Sequence, residues 1–286
     1  MGLFRKLTSR GSKAPDSSTA SGASSGAAPP SPSSSSKLTK PSRGGAPSAA
    51  ASSYAPPPEA PAPQLSKMQE NALAALAKHD TCFLVDDSGS MEMFWDEELA
   101  PALASVVRVA VAYDDDGIEI CFFNSRERKT SRSADEILSV FHHVRPKYTT
   151  PTADAMKRVL EPYMQSFEDW HSTGKANGVS RPKPLNLVVL TDGAPDKEQD
   201  PEGIIVEVAK RLDLLRAPPF QVGISFVQIG NYTEAAEHLR SLDDDLKEKH
   251  KIRDMVDTTL YSGKTDADYL LKALLGGINR SIDRSS

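Results

Sequence analysis

Residues 81–91 read TCFLVDDSGSM: an apolar run that breaks abruptly into two aspartates and a Ser-Gly-Ser turn. A short run without polar alternation suits a strand buried on both faces, and its ending in acids and glycine marks the strand's exit at a functional rim. Just downstream, Trp95, Leu99, Leu103, Val106, Ala110 and Tyr113 recur every three or four residues. Acids at 96–98 fall in the first turn, where the helix dipole favours them. A buried strand followed by a long amphipathic helix is the unit from which the rest of the chain is read.

Working outward, the unit repeats. GIEICFFN (117–124) predicts a second strand, Ala134 to Val144 a short helix, and Thr152 to Phe167 a longer one with Ala155, Met156, Val159, Leu160 and Tyr163 inward. LNLVVLTDG (185–193) is the most continuous apolar strand and is expected at the sheet's centre. A helix over Pro201 to Leu215 stops at Pro218 and Pro219, and a strand follows at Gln221 to Ile229. A helix around Glu234 to Leu246, a weak strand near Met255 to Thr258 and a closing helix from Asp266 to about Ile282 complete the pattern. Strand and helix in alternation imply a doubly wound, mostly parallel α/β sheet with helices on both faces. Upstream, Met68, Ala72, Leu73 and Leu76 fall at helical spacing, so the ordered domain is expected over 65–283.

Residues 1–64 have a different chemistry, rich in Ser, Ala, Pro and Gly with almost nothing large and apolar, and are expected to be disordered. Up to residue 66 the chain carries seven Lys or Arg against Asp16 and Glu59, leaving 27 basic and 37 acidic residues for the remainder. An acidic body argues against nucleic acid as a partner, because phosphate neutralisation supplies most of that affinity. Gly2 followed by cations hints at N-acylation, but Lys6 stands where that signal wants a hydroxyl. Membrane contact through the tail, and an organellar transit role for it, are the lesser alternatives. Cys82 and Cys121 lie inside apolar runs, as buried thiols rather than a disulfide framework. With no membrane-length apolar run and no secretory core, the expected location is cytoplasmic.

Loops after the strands of such a sheet cluster at one rim. Three of them carry oxygen ligands and nothing softer: Asp86, Ser88 and Ser90 in DDSGSM, Thr150 in TTPTADAM, and Asp192 in LTDGAP. Two carboxylates and three hydroxyls form a hard set suited to Mg²⁺ or Mn²⁺ and unsuited to zinc. The alternation of 86, 88 and 90 turns three side chains toward one point, with Gly89 expected to let the backbone bend close to the ion. Such a set leaves the ion undersaturated in charge and open to a further carboxylate.

DxSxS at 86–90, Thr150 directly before a proline and TDG at 191–193 resemble, in order and in strand context, the metal-ion-dependent adhesion site of the von Willebrand factor A domain family. The likeness covers about residues 70–282. It implies a six-stranded sheet of order 3-2-1-4-5-6 with one antiparallel edge strand, expected between about Arg126 and Ser131. It further implies Mg²⁺ held by Ser88, Ser90 and Thr150, with Asp86 and Asp192 direct or through water, and a sixth position for an Asp or Glu of a protein ligand. Family members usually have GGTP where this chain has TTP behind Tyr148, so Thr149 and Thr152 stay open as alternatives to Thr150.

The plainer reading of the five residues is a set of helix caps and turns, which explains each singly but not their meeting at one rim. Asp87 is turned away from the others and is expected to orient or cap. His142 and His143 cannot share a helix face. Trp95 and Trp170 are expected to pack, and Asp243, Asp244 and Asp245 to form a solvated helix end. The rim carries no nucleophile-and-base pair, no GxSxG elbow and no phosphate loop, so the expected function is cation-dependent protein binding without catalysis. The alternative is a Mg²⁺-dependent phosphohydrolase or phosphotransferase on a similar sheet. Haloacid-dehalogenase-type enzymes begin with DxDx(T/V), and here Ser88 replaces the second acid.

Overall fold

The computed structural model describes residues 73–174, 177–178 and 180–279. What the sequence suggests for the basic tail, for Gly2, for the start of the helix entering from Ser66 and for the end of the closing helix lies outside the described residues, while residues 73–76 of the entering helix are helical, with Leu73 and Leu76 buried.

Six strands form one sheet: β1 (Asp80–Val85), β2 (Ile118–Phe122), β3 (Arg128–Ser131), β4 (Leu185–Thr191), β5 (Val222–Gln228) and β6 (Val256–Thr259). Their order is β3-β2-β1-β4-β5-β6. Every pairing is parallel except β2 with β3. The connecting helices are α1 (Ala100–Tyr113), α2 (Ala134–His143), α3 (Thr152–Asp169), α4 (Glu202–Leu214), α5 (Thr233–Asp244), α6 (Leu246–His250) and α7 (Ala267–Asn279). All seven residues of β4 are buried, as its unbroken apolar run requires of a central strand.

Period-2 alternation sends strand side chains into two separate cores. Phe83, Val85, Ile120, Phe122, Val188 and Leu190 meet α1, α2 and α7 on one face, through Leu103, Val107, Phe141, Leu270 and Leu274. Cys82, Leu84, Cys121, Leu187, Val189, Ile224 and Phe226 meet α3, α4 and α5 on the other. Both cysteines are buried free thiols, with Sγ atoms 3.6 Å apart. Burial and the bond to Cys121 hold the Cys82 thiol well above its ordinary pKa. Helix α7 lies with its backbone close on the sheet: a Cβ on Gly277 would fall 2.8 Å from Ser225 Oγ and 2.9 Å from Asn186 Oδ1. Asn186 Nδ2 donates to the Leu274 carbonyl at 3.0 Å, and the Tyr269 hydroxyl donates to the Gln228 and Thr259 carbonyls.

Several local readings need correction. The helix expected from Glu234 to Leu246 breaks at Asp245 into α5 and α6. Asp243 is not part of a merely solvated end, because its carboxylate accepts the Thr258 N–H at 2.9 Å and fixes β6. Ahead of α1, the chain is helical from Gly89 but irregular, passing through a 3₁₀ turn and then a π turn over Trp95–Leu99. Trp95 is buried and stacked on Phe141 with ring centroids 4.5 Å apart, so it packs and does not line the rim. Among the described residues, no helix is long and apolar enough to cross a membrane.

Candidate metal centre

The register of β1 against β4 builds the rim. Val85 lies beside Leu190, and the Asp86 N–H donates to the Leu190 carbonyl at 2.8 Å, which brings Asp86 next to Thr191. The Thr191 hydroxyl donates to Asp86 Oδ2 at 2.6 Å, and the Ser88 N–H donates to Asp86 Oδ1 at 2.8 Å. Both oxygens of this fully buried carboxylate are therefore engaged. Ser88 keeps an extended backbone (φ −68°, ψ 162°), and the 3₁₀ turn of Gly89–Met91 then swings Ser90 back over it. Ser88 Oγ and Ser90 Oγ lie 3.2 Å apart, and Ser90 Oγ donates to Asp192 Oδ1 at 2.9 Å. Thus Asp86, Ser88, Ser90 and Asp192 meet in one connected group across two loops.

Thr150 sits on a third loop stitched to both. Its N–H donates to Asp196 Oδ2 at 3.0 Å, and its carbonyl accepts from the Asp196 N–H at 3.1 Å and the Thr152 N–H at 2.9 Å. The preceding residues reach the first loop: Lys147 N–H donates to the Asp87 carbonyl at 2.8 Å, and Gly89 N–H to the Tyr148 carbonyl at 3.2 Å. The structure thus brings the Thr150 loop to the cluster through backbone bonds. Of the alternatives, Thr152 is buried with its hydroxyl 3.5 Å from the Thr150 carbonyl, and Thr149 is exposed.

Asp87 behaves as an orienting acid. Its two oxygens accept the N–H groups of Asn124 (2.6 Å) and Ser125 (2.9 Å), fastening the β2 exit to the rim. Gly89 does not take a left-handed backbone, and a Cβ there would meet only the Tyr148 carbonyl at 3.6 Å, an ordinary contact. The strained position is Tyr148, with φ 72°. A bulky residue there costs about 1 kcal/mol and persists only where surrounding bonds impose it. The Asp87–Lys147 and Tyr148–Gly89 bonds do so.

The electrostatics of the cluster are set by burial of its two carboxylates. Burial pushes Asp86 up to about 7, only partly offset by the bonds from Thr191 and Ser88, and the neighbouring Asp192 charge adds to the rise. Burial likewise raises Asp192, against the bond from Ser90. Asp192 Oδ2 is buried with no hydrogen-bond partner. Leaving such an atom unpaired costs about 1–3 kcal/mol, so an orphaned oxygen on a carboxylate whose other oxygen accepts from Ser90 fits a hard divalent ion. Among the described residues, no three His, Cys, Asp or Glu side chains gather into a metal-holding group. The fit rests on two carboxylates with hydroxyls, which is a set for Mg²⁺ or Mn²⁺ and not for zinc.

Sequence reasoning missed several residues that hold the cluster in place. Thr191 was legible in principle, since the β1–β4 register places it against Asp86. Asp196, whose carboxylate accepts the Thr150 N–H, and the Asn124–Ser125 pair, whose N–H groups donate to Asp87, bond to or through the main chain and leave no compositional signal. Arg158 also falls in this class: it donates to the Phe122 and Phe123 carbonyls at 3.0 and 2.6 Å, closing the end of β2.

No family model matches the chain, and no curated protein matches it. Among solved structures it is similar to proximal thread matrix protein 1 from the mussel byssus, at 19% identity and a TM-score of 0.40. That match covers 68% of this chain and 46% of the other, so the chain spans less than half of that protein. At this level of likeness the fold stands on the strand order itself, and the function on the residues of the rim.

Proposed function

We propose that the chain is a divalent-cation-dependent protein-binding module of the von Willebrand factor A type, in which Mg²⁺ or Mn²⁺ at the rim engages an Asp or Glu of a partner. The observation that carries this reading is Asp192 Oδ2, buried and unpartnered beside Ser88 and Ser90. Asp192 and the two serine hydroxyls are suited to direct bonds. Asp86, with both oxygens already accepting bonds, is suited to act through water and to orient Ser88. Thr150 completes the set from the third loop. With one carboxylate in direct contact, the ion keeps net positive charge toward solvent, and a partner carboxylate is the natural complement.

Isothermal calorimetry on the full chain is expected to show one Mg²⁺ or Mn²⁺ site that Asp192→Ala abolishes. Undiminished ion binding in that variant would refute the assignment.

A further inference from the structure

Five large apolar side chains stand open to solvent among the described residues: Met93, Tyr148, Leu214, Phe220 and Tyr232. Leu214 ends α4 and Phe220 precedes β5, so both belong to the end of the sheet away from the candidate ion. The other three lie on the ligand rim. Tyr148 is 72% exposed, although its carbonyl accepts the Gly89 N–H inside the DDSGS loop. Its left-handed backbone is held there by the same bonds that join the loops. Lys147 Nζ lies 5.1 Å from the centre of its ring, placing a cation beside an aromatic face. Met93 is 66% exposed three residues after Ser90, and the Tyr232 hydroxyl, on the loop after β5, reaches its sulfur at 3.4 Å.

Large exposed side chains that a chain gathers around a polar centre mark a contact surface, and aromatic residues and methionine are enriched at such surfaces. Resting on the cation-site reading above, we propose that the partner is an extended segment of another protein whose ion-bound carboxylate is flanked by large apolar side chains. One of these seats against Tyr148 and the other against the Met93–Tyr232 pair. Charge chooses the sign of the segment, because the ion and Lys147 both favour an acidic one. The chain's own tail does not fit: its two acids are Asp16, between Pro15 and Ser17, and Glu59, between Pro58 and Ala60, with no large apolar neighbour. Tyr148 supplies ring area at little cost in rotamer freedom, and its constrained backbone presents that area before the partner arrives.

The test uses two capped five-residue peptides of equal charge, glycine-leucine-glutamate-leucine-glycine and the same peptide with glycine at both leucine positions. Chemical-shift titration of the full chain in Mg²⁺ is expected to give about tenfold tighter binding for the leucine peptide. Tyr148→Asn keeps a residue that tolerates the left-handed backbone, and is expected to remove most of that gain while leaving Mg²⁺ affinity and glycine-peptide binding within twofold. Met93→Ala, at an exposed site, is expected to remove part of it. Equal binding of the two peptides in the presence of bound Mg²⁺ would overturn this inference and leave the cation reading standing. Calorimetry without Mg²⁺ binding, together with peptide binding indifferent to EDTA, would overturn the cation reading. Mg²⁺-dependent self-association seen by sedimentation and lost in Tyr148→Asn would name a second copy as the occupant and overturn the foreign segment.

Discussion

The two ends of the sheet each bury an aspartate whose pKa is pushed up to about 7, and they surround it with different neighbours. At the end away from the rim, Asp114 is raised by burial and by the neighbouring Asp116, and neither of its buried carboxylate oxygens has a hydrogen-bond partner. Asp116 is itself pushed up by burial, but its neighbours Asp114 and Lys183 outweigh this and hold it below the ordinary range. Lys183 pairs directly with Asp116. A cation of the chain itself thus stands in this group. At the rim, Asp86 and Asp192 have hydroxyls and N–H groups but no basic side chain among their hydrogen-bond partners, and one oxygen stays orphaned. The same upward shift thus arises in two settings: Lys183 stands in one cluster, and no basic side chain bonds the other.

The largest expected effect separates the ends by mutation. Asp192→Ala should weaken Mg²⁺ binding by at least about a hundredfold, since it removes the direct carboxylate. The variant should nevertheless fold as well as the wild type without metal, because it deletes a buried, unpaired acid. Asp116→Ala should leave Mg²⁺ affinity within twofold. Calorimetry and urea denaturation on both variants check this. A loss of metal binding in Asp116→Ala would erase the contrast.

The second effect is on pH dependence. An aspartate at 3.8 in the unfolded chain and about 7 in the folded one keeps a proton only in the fold across that window, so stability falls as pH rises from about 4 to 7 and is flat above. For Asp86 the full loss is on the order of 4 kcal/mol. Asp114 adds a fall of the same sign. Saturating Mg²⁺ should offset the Asp86 part, by about 2.7 kcal/mol at a hundred times Kd, and leave the Asp114 part untouched. Asp114→Asn should do the reverse. Urea melts from pH 5 to 8, with Mg²⁺ and with EDTA, measure both slopes. Identical slopes in the two buffers would mean that no ion displaces the rim proton.

A smaller effect grades the rim's own ligands. Ser90→Ala should weaken Mg²⁺ about tenfold, because it removes a hydroxyl and also the bond that orients Asp192 Oδ1. Thr150→Ala should cost less than Ser90→Ala but more than Thr149→Ala, whose exposed side chain is expected to contribute nothing. If Thr149→Ala or Thr152→Ala proves the costlier, the third-loop ligand has been misplaced.

How far the sequence reached follows from the same contrast. The long strands were legible because they rest on unbroken apolar runs, whereas the strand order and the antiparallel edge followed from the resemblance carried by three motifs in fixed order. Side chains meeting main-chain groups were not, since Asp243 bonding the Thr258 N–H and Asp196 bonding the Thr150 N–H depend on loop paths that periodicity does not encode. Gly89 misled because composition suggests a turn glycine, whereas the left-handed strain fell on Tyr148. The Asp114–Asp116–Lys183 group went unseen because its members come from the separate loops before β2 and β4.

The smallest expected effect tests whether the two ends are independent. Lys183 is partly exposed and its partner Asp116 more so, which limits such a pair to about 1 kcal/mol or less. Because Asp116 is held below its unfolded value, the contribution of the pair is present above about pH 4 and is lost as pH falls through the folded pKa. Lys183→Met should therefore lower stability slightly and evenly from pH 5 to 8, and the difference should close in more acidic solution. Mg²⁺ affinity should not change: β1 has six residues, which place its two ends about 20 Å apart, well beyond the screening length of about 8 Å at physiological salt. A severalfold change in Mg²⁺ affinity in Lys183→Met, persisting at high salt, would show coupling through the packed strands. The far cluster would then belong to the mechanism of the rim.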